Sequence, residues 1–167
     1  MTDLIHEMER IAEAHPDKRS DLFHGPISED LLPPIEHELG VSLPRSFRAY
    51  LLGFAGGLML GYEICGIPTE KARIPSLQLD PPITGTSESA ILSIIDANRR
   101  RREHQPAGYI YFCGDGGDFA FYFDTNRMTL DGECPVVMYG PGAAGVVVAN
   151  DYIDFLKRLA EGQSFGT

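Results

Sequence analysis

Residues 3–14 carry Leu4, Ile5, Met8, Ile11 and Ala12 at the i, i+3, i+4, i+7 spacing of one helical face, and Asp3, Glu7, Glu9, Arg10 and Glu13 on the other. Pro16 ends this helix, and His15–Pro26 reads as a polar connection. Ser28 can cap a second helix through Leu31, Leu32, Ile35 and Leu39. Pro33 and Pro34 are tolerated only near a first turn, so regular helix is expected from about Leu32, closed by Gly40. Pro44, at a first helical position, opens a third helix striped by Phe47, Tyr50, Leu51 and Phe54, with Arg45 and Arg48 solvated. Gly56-Gly57 stops it.

Leu58–Leu60 and Tyr62–Ile67 predict two short strands around Gly61. Residues 68–87, rich in Pro, Thr and Ser, predict an irregular excursion. Ser87 or Ser89 then starts a fourth helix through Ile91, Ile94 and Ile95. It ends at Arg99–Arg102, where cations suit the negative end of the helix dipole. After Pro106 the pattern changes to strands. Tyr109–Cys113 and Phe119–Asp124 flank the glycine-rich turn Gly114–Asp118, and Pro135–Tyr139 and Gly145–Ala149 add two more. Asp151 caps a last helix that carries Tyr152, Ile153, Phe155, Leu156 and Leu159 and ends near Glu161-Gly162. Helices, a mostly antiparallel sheet and a final helix predict one α+β domain over residues 1–167, not a βαβ repeat. Its expected core contains Phe47, Leu51, Phe112, Phe121, Phe123, Val137, Phe155 and Leu156.

Charge narrows the function classes. The 167 residues include 14 Lys and Arg against 24 Asp and Glu, a formal net charge of −10. That field repels a phosphate backbone, which argues against direct nucleic-acid binding, and attracts a basic partner. Cys65, Cys113 and Cys134 form no CxxC and are expected to be reduced, buried small apolar residues of a cytoplasmic protein. The acidic, amphipathic N-terminus lacks the basic and apolar regions of a signal peptide. The longest uncharged stretches, Ala49–Tyr62 and Cys134–Asn150, are glycine-interrupted and shorter than the ~20 residues a membrane span needs, so no membrane association is expected.

Few residues suggest chemistry. Gly140-Pro141-Gly142-Ala143-Ala144-Gly145 matches GxGxxG. The β-branched run Val146-Val147-Val148 follows where a dinucleotide fold needs a helix, so a turn between strands is the better reading. Asp115 and Asp118 share the Gly114–Asp118 loop and read first as turn residues, second as a partner contact, third as metal ligands. The histidines at 6, 15, 24, 37 and 104 have no HExxH or zinc-finger spacing and default to solvated positions. Cys113 with His104 is a conceivable nucleophile pair, but a cysteine within Tyr-Ile-Tyr-Phe-Cys reads as strand packing. Arg99–Arg102 spans a little over one helical turn and spreads around the helix instead of forming one basic face. No cofactor or metal is expected.

The run Ile35-Glu36, Leu39-Gly40-Val41-Ser42-Leu43-Pro44-Arg45-Ser46-Phe47-Arg48-Ala49-Tyr50-Leu51 and then Gly56-Gly57 resembles the signature of the SUKH superfamily. That group contains fungal cell-wall-synthesis regulators and bacterial toxin-immunity proteins. Tyr109–Phe112, Gly114–Asp118, Phe123-Asp124, Pro135-Val136-Val137 and Ala149 through Asp154-Phe155-Leu156 extend the likeness over about residues 28–160. The resemblance implies a sheet flanked by helices, no enzymatic activity, and in bacteria a protein that binds and neutralises a cognate toxin, often a nuclease. The expected partner is therefore a basic toxin domain. Tyr62, Glu63, Asp80, Glu88, Asp115, Asp118 and Tyr139 are the candidate partner-binding residues, because they lie in loops or at strand ends. Two alternatives remain open: a regulatory scaffold acting on host proteins, and a small-molecule-binding or hydrolytic enzyme using the glycine loops.

Overall fold

Among the described residues six strands hydrogen-bond in chain order into one antiparallel sheet: β1 (Gly57–Met59), β2 (Tyr62–Ile64), β3 (Tyr109–Gly114), β4 (Ala120–Asp124), β5 (Val136–Gly140) and β6 (Ala143–Ala149). Five α-helices accompany them there: α1 (Thr2–Glu13), α2 (Leu32–Leu39), α3 (Arg45–Phe54), α4 (Ile94–Arg101) and α5 (Tyr152–Ala160). The structure is a computed structural model and describes residues 1–20, 25–68, 92–163 and 165. The architecture is α+β, as the order of patterns implied. Among the described residues no helix is long and apolar enough to cross a membrane.

Strand alternation sorts the aromatic side chains of β3 and β4 between two sheet faces that are both covered at the centre. Phe112, Phe121 and Phe123 share the face that meets α3 and α5. The Phe112 and Phe123 rings stack at 4.1 Å and 15°, and Phe47 lies 4.9 Å from Phe123, 5.5 Å from Tyr50 and 5.2 Å edge-on from Tyr152. Phe155 closes the other side, 5.3 Å from Phe112 and 5.1 Å from Phe121. All eight expected core residues are buried. α1 lies across α3 and α5, burying Met8 and half-burying Leu4, Ile5 and Ile11.

The corner between α2 and α3 is held by side chains. Gly40 closes α2 in the left-handed region at φ 74°. Glu36 Oε1 accepts the N–H of Leu43 at 2.8 Å, just ahead of Pro44. Pro44 sits one residue outside α3, with φ −57° and ψ 142°, not at its first helical position. The α3 N-terminus is capped from far along the chain: Glu133 accepts from the Ser46 N–H at 2.9 Å and from the Ser46 hydroxyl at 2.7 Å. Ser28 supplies no cap bond; it precedes a single 3-10 turn, Glu29–Leu31, that leads into α2 at Leu32.

The second strand and the fourth helix depart from expectation together. β2 stops at Ile64, and Cys65 keeps only a backbone bond, its N–H donating to Phe112 O at 2.7 Å. Gly66 then passes so close to the end of α3 that a Cβ on it would lie 2.0 Å from the Ala55 carbonyl oxygen. The chain must leave the sheet there, and only glycine fits. Gly66 instead pairs with the Leu92–Ile94 segment, donating to Leu92 O and accepting from the Ile94 N–H, each at 2.9 Å. α4 starts at Ile94, with the Ser93 side chain accepting from the Asp96 N–H. The expected starts at Ser87 and Ser89 lie outside the described residues. Strand β6 begins at Ala143, two residues before Gly145.

β2 is short, and among the described residues no strand pairs with the first half of β3 on that side. Asn98 of α4 takes its place: Oδ1 accepts the Tyr111 N–H at 2.9 Å, and Nδ2 donates to Tyr111 O at 2.9 Å and Ile94 O at 2.8 Å. Gln105 Nε2 donates to Tyr109 O at 2.8 Å in the same way. Asn98 is 5% exposed, so replacing it with Leu strands two buried backbone groups. Asn98→Leu is expected to cost about 2–6 kcal/mol, at about 1–3 per orphaned group, measured by chemical denaturation. An unchanged midpoint would show that the side-chain bridge does not hold β3.

Burial raises the pKa of the half-buried Glu133 carboxyl despite its two bonds from Ser46. A folded pKa above the unfolded value, about 4.3, means that the folded state holds the proton more tightly. Ionising Glu133 then opposes folding, an effect absent below that unfolded value and complete above the folded pKa. Wild-type stability relative to Glu133→Gln is expected to fall as pH rises from 4 to 7. Parallel unfolding curves of the two proteins over that range would contradict this.

Candidate partner-binding site

At one end of the sheet the β1–β2 turn, the β3–β4 loop, the segment after α1 and the end of α5 surround a solvent-open groove of about 640 Å³. Its walls include Tyr62, Phe119, Phe121 and Phe165, with Asp17 and Asp115 among the lining residues. Tyr62 meets Phe121 edge-on at 6.3 Å, and Phe165 folds back to stack on Phe155 at 5.5 Å and 16°. Burial raises the Tyr62 phenol pKa, and the negative charge of Asp115 adds to the effect.

The groove's rim is conformationally demanding. Leu60 and Gly61 both take positive φ, 52° and 85°, the geometry of the mirror-image hairpin turns. A leucine there is disfavoured. Two bonds from the N-terminal segment hold it: Leu60 N–H donates to Ser20 Oγ at 2.8 Å, and Gly61 N–H donates to Arg19 O at 2.7 Å. The opposite rim is self-supporting. Asp115 Oδ1 accepts the N–H groups of Gly117 at 2.8 Å and Phe119 at 3.1 Å, so this aspartate shapes the turn while its charge stays exposed. Asp118 is exposed on the same loop.

Of the candidate residues, Tyr62 and Asp115 meet in this groove. Glu63 is exposed, and strand alternation directs it to the opposite face from Tyr62. Tyr139 also lies on that second face, half-buried, 5.9 Å from Tyr109 and 5.5 Å from Tyr122 in edge-to-face contacts. Tyr111 continues the row beside Tyr122, and Arg101 lies 3.7 Å above its ring. Asp80 and Glu88 lie outside the described residues. The sequence reading did not single out Asp17, Phe119 or Phe165 for the groove, nor Tyr109 and Tyr122 for the tyrosine row. The row had a signal, since alternate aromatic positions on paired strands share a face; the groove had none.

The other candidate chemistries resolve into structure. Pro141-Gly142 forms the two-residue connection between β5 and β6, with Gly142 at φ 74°; Gly145, at φ 69°, is the extra residue of a bulge between the Met138 and Tyr139 pairings. Cys65, Cys113 and Cys134 are buried free thiols, with burial pushing the Cys134 pKa up to about 12 and the other two upward as well. A high pKa is the opposite of what a nucleophilic thiolate needs. The arginine run disperses: Arg99 pairs with Glu38 while Arg101 covers Tyr111. Among the described residues no group of three or more His, Cys, Asp and Glu could hold a metal ion.

The sequence model of the SMI1 / KNR4 family (SUKH-1) matches residues 26–162, most of the chain. The chain belongs to that family. No curated protein matches it. The matched region runs from the approach to α2 through the end of α5. It therefore contains the Glu36–Leu43 clamp, the Pro44 corner and the whole sheet, and every lining residue of the groove except the 17–19 segment, Gln163 and Phe165. SUKH proteins include toxin-immunity proteins.

Proposed function

We propose that this SUKH-1 protein acts by binding another protein, without catalytic turnover, as an immunity protein that neutralises a toxin in the cytoplasm. Membership of a family that includes toxin-immunity proteins carries this reading. Three features support it. A net charge of −10 suits a basic partner such as a nuclease domain, whose substrate channel carries positive charge. The aromatic groove, and the part-exposed Tyr109 and Tyr139 of the tyrosine row, offer the residue types that dominate binding energy at protein interfaces. The three cysteines are buried thiols whose pKa values burial raises, so none is an activated nucleophile.

Affinity capture with the tagged protein from its native host, followed by expression of the captured protein alone and together with this chain, tests the reading. Toxicity alone and rescue by co-expression are expected. A captured host protein that is harmless alone would favour a regulatory scaffold instead.

Charge steering makes a kinetic prediction for the same pair. Exposed charges are screened beyond about 8 Å at physiological salt, so association should slow as salt rises. Asp115→Asn retains the oxygen that accepts from Gly117 and Phe119, so it removes charge while keeping the loop's shape. The double variant Asp115→Asn, Asp118→Asn is expected to lower the association rate more than it raises the dissociation rate. An on-rate indifferent to salt and to both substitutions would reduce the loop to a turn.

A further inference from the structure

We propose that the groove between Tyr62, Asp17, Asp115 and Phe119 receives an arginine side chain of the protein partner. This rests on the protein-binding reading and gives it a location and a chemistry. The groove combines aromatic surface, Tyr62 and Phe119 with Phe121 and Phe165 behind, and carboxylates on two separate chain segments, Asp17 and Asp115. Both aspartates are exposed. A guanidinium is planar, stacks on aromatic rings and bonds carboxylates through its edge, so it can use both features at once. An ammonium uses mainly the charge, and an apolar side chain mainly the rings.

Two cations also line the groove, Lys18 and Arg19. The Lys18 ammonium bonds the carbonyls of Leu159 and Ala160, the latter at 2.8 Å, and so answers the negative end of α5. Arg19 has an interaction of its own within the chain, and its carbonyl holds the Gly61 N–H. The exposed carboxylates of the groove are those of Asp17 and Asp115, with Asp118 on the same loop as Asp115. The strained Leu60-Gly61 turn, pinned by Ser20 and Arg19, fixes one wall relative to Tyr62, so the groove is formed before a partner arrives.

The test uses the full chain, isotope-labelled, titrated with N-acetyl-arginine methylamide while amide NMR shifts are followed. The lysine, leucine and glutamate methylamides are run alongside. Saturable shifts at Tyr62, Asp115 and Phe119 are expected with the arginine probe in the millimolar range, weaker with lysine and none with glutamate. Asp115→Asn, which keeps the loop's acceptor oxygen, and Tyr62→Leu should each weaken binding roughly fivefold or more, whereas Tyr62→Phe should bind like wild type. Equal binding of the leucine probe, shifts that map elsewhere, an arginine affinity unmoved by Asp115→Asn, or no saturation up to about 100 mM would overturn the proposal. None of these readouts involves the partner. Failure here leaves the capture and toxicity experiment to judge the immunity reading, and failure there leaves the groove's chemistry to be judged by the probes.

Discussion

The Phe47 ring is where the molecule is joined. It projects from α3 between two strands and a second helix, touching Phe112 on β3, Phe123 on β4 and Tyr152 on α5, with centroids 4.9–5.9 Å apart. Apolar burial at one point thus fixes α3, α5 and the central hairpin together, and ring pairs add directional preference to the non-directional hydrophobic term. Once Phe112 and Phe123 face inward, the two-residue period of a strand leaves no choice for their neighbours. Tyr111 and Tyr122 must face the other way. Tyr139 joins them through its pairing with Ala120, and Tyr62 is left at the sheet's end beside Phe121. Both surfaces with interface-type residues follow from that one packing decision.

Where hydrophobic period alone sets structure, the sequence was legible. α1, α3, α5 and β3–β5 lie close to where their apolar spacing puts them, and the α+β class follows from their order. Misreadings arose where a distant backbone group decides. Tyr62–Ile67 is a continuous strand-like run, yet Gly66 must cross Ala55, so the strand ends at Ile64. Ile91, Ile94 and Ile95 extend a helical stripe backward, but Ser93 at ψ 123° is a cap and not a helical residue. The site was legible in pieces. Tyr62 and Asp115 stand out as residues beside turns, but only the β2–β3 pairing brings those turns to one end of the sheet. Phe165 and Asp17 enter from segments whose own sequence carries no such cue.

Polar side chains finish what the core leaves open, and each acts on backbone of another element or connection. Glu36 holds Leu43, Glu133 caps α3, Asn98 bonds the backbone of β3, and Lys18 answers the end of α5. Hydrophobic burial tolerates a helix shifted by a turn or a loop of another length; a buried amide that must meet both the N–H and the C=O of Tyr111 does not. These bonds convert a generally apolar collapse into one register.

The backbone strain falls at the joints of the same frame. Ala55, at φ 60°, takes the chain out of α3 and over Gly66; Leu60, at φ 52°, takes it from β1 to β2. Each costs on the order of 1–3 kcal/mol and persists because neighbours over-determine it. Ala55 O accepts the Ile67 N–H at 2.7 Å, and Leu60 is pinned by Ser20. The two differ in what they serve. Relaxing Ala55 would unseat β2 and with it the core, so its strain belongs to the fold. Relaxing Leu60 would move the hairpin tip beside Tyr62 together with its own buried side chain. Its strain thus sits where core and groove meet: the buried side chain holds the hairpin tip to the core, and the backbone shapes the groove wall beside Tyr62.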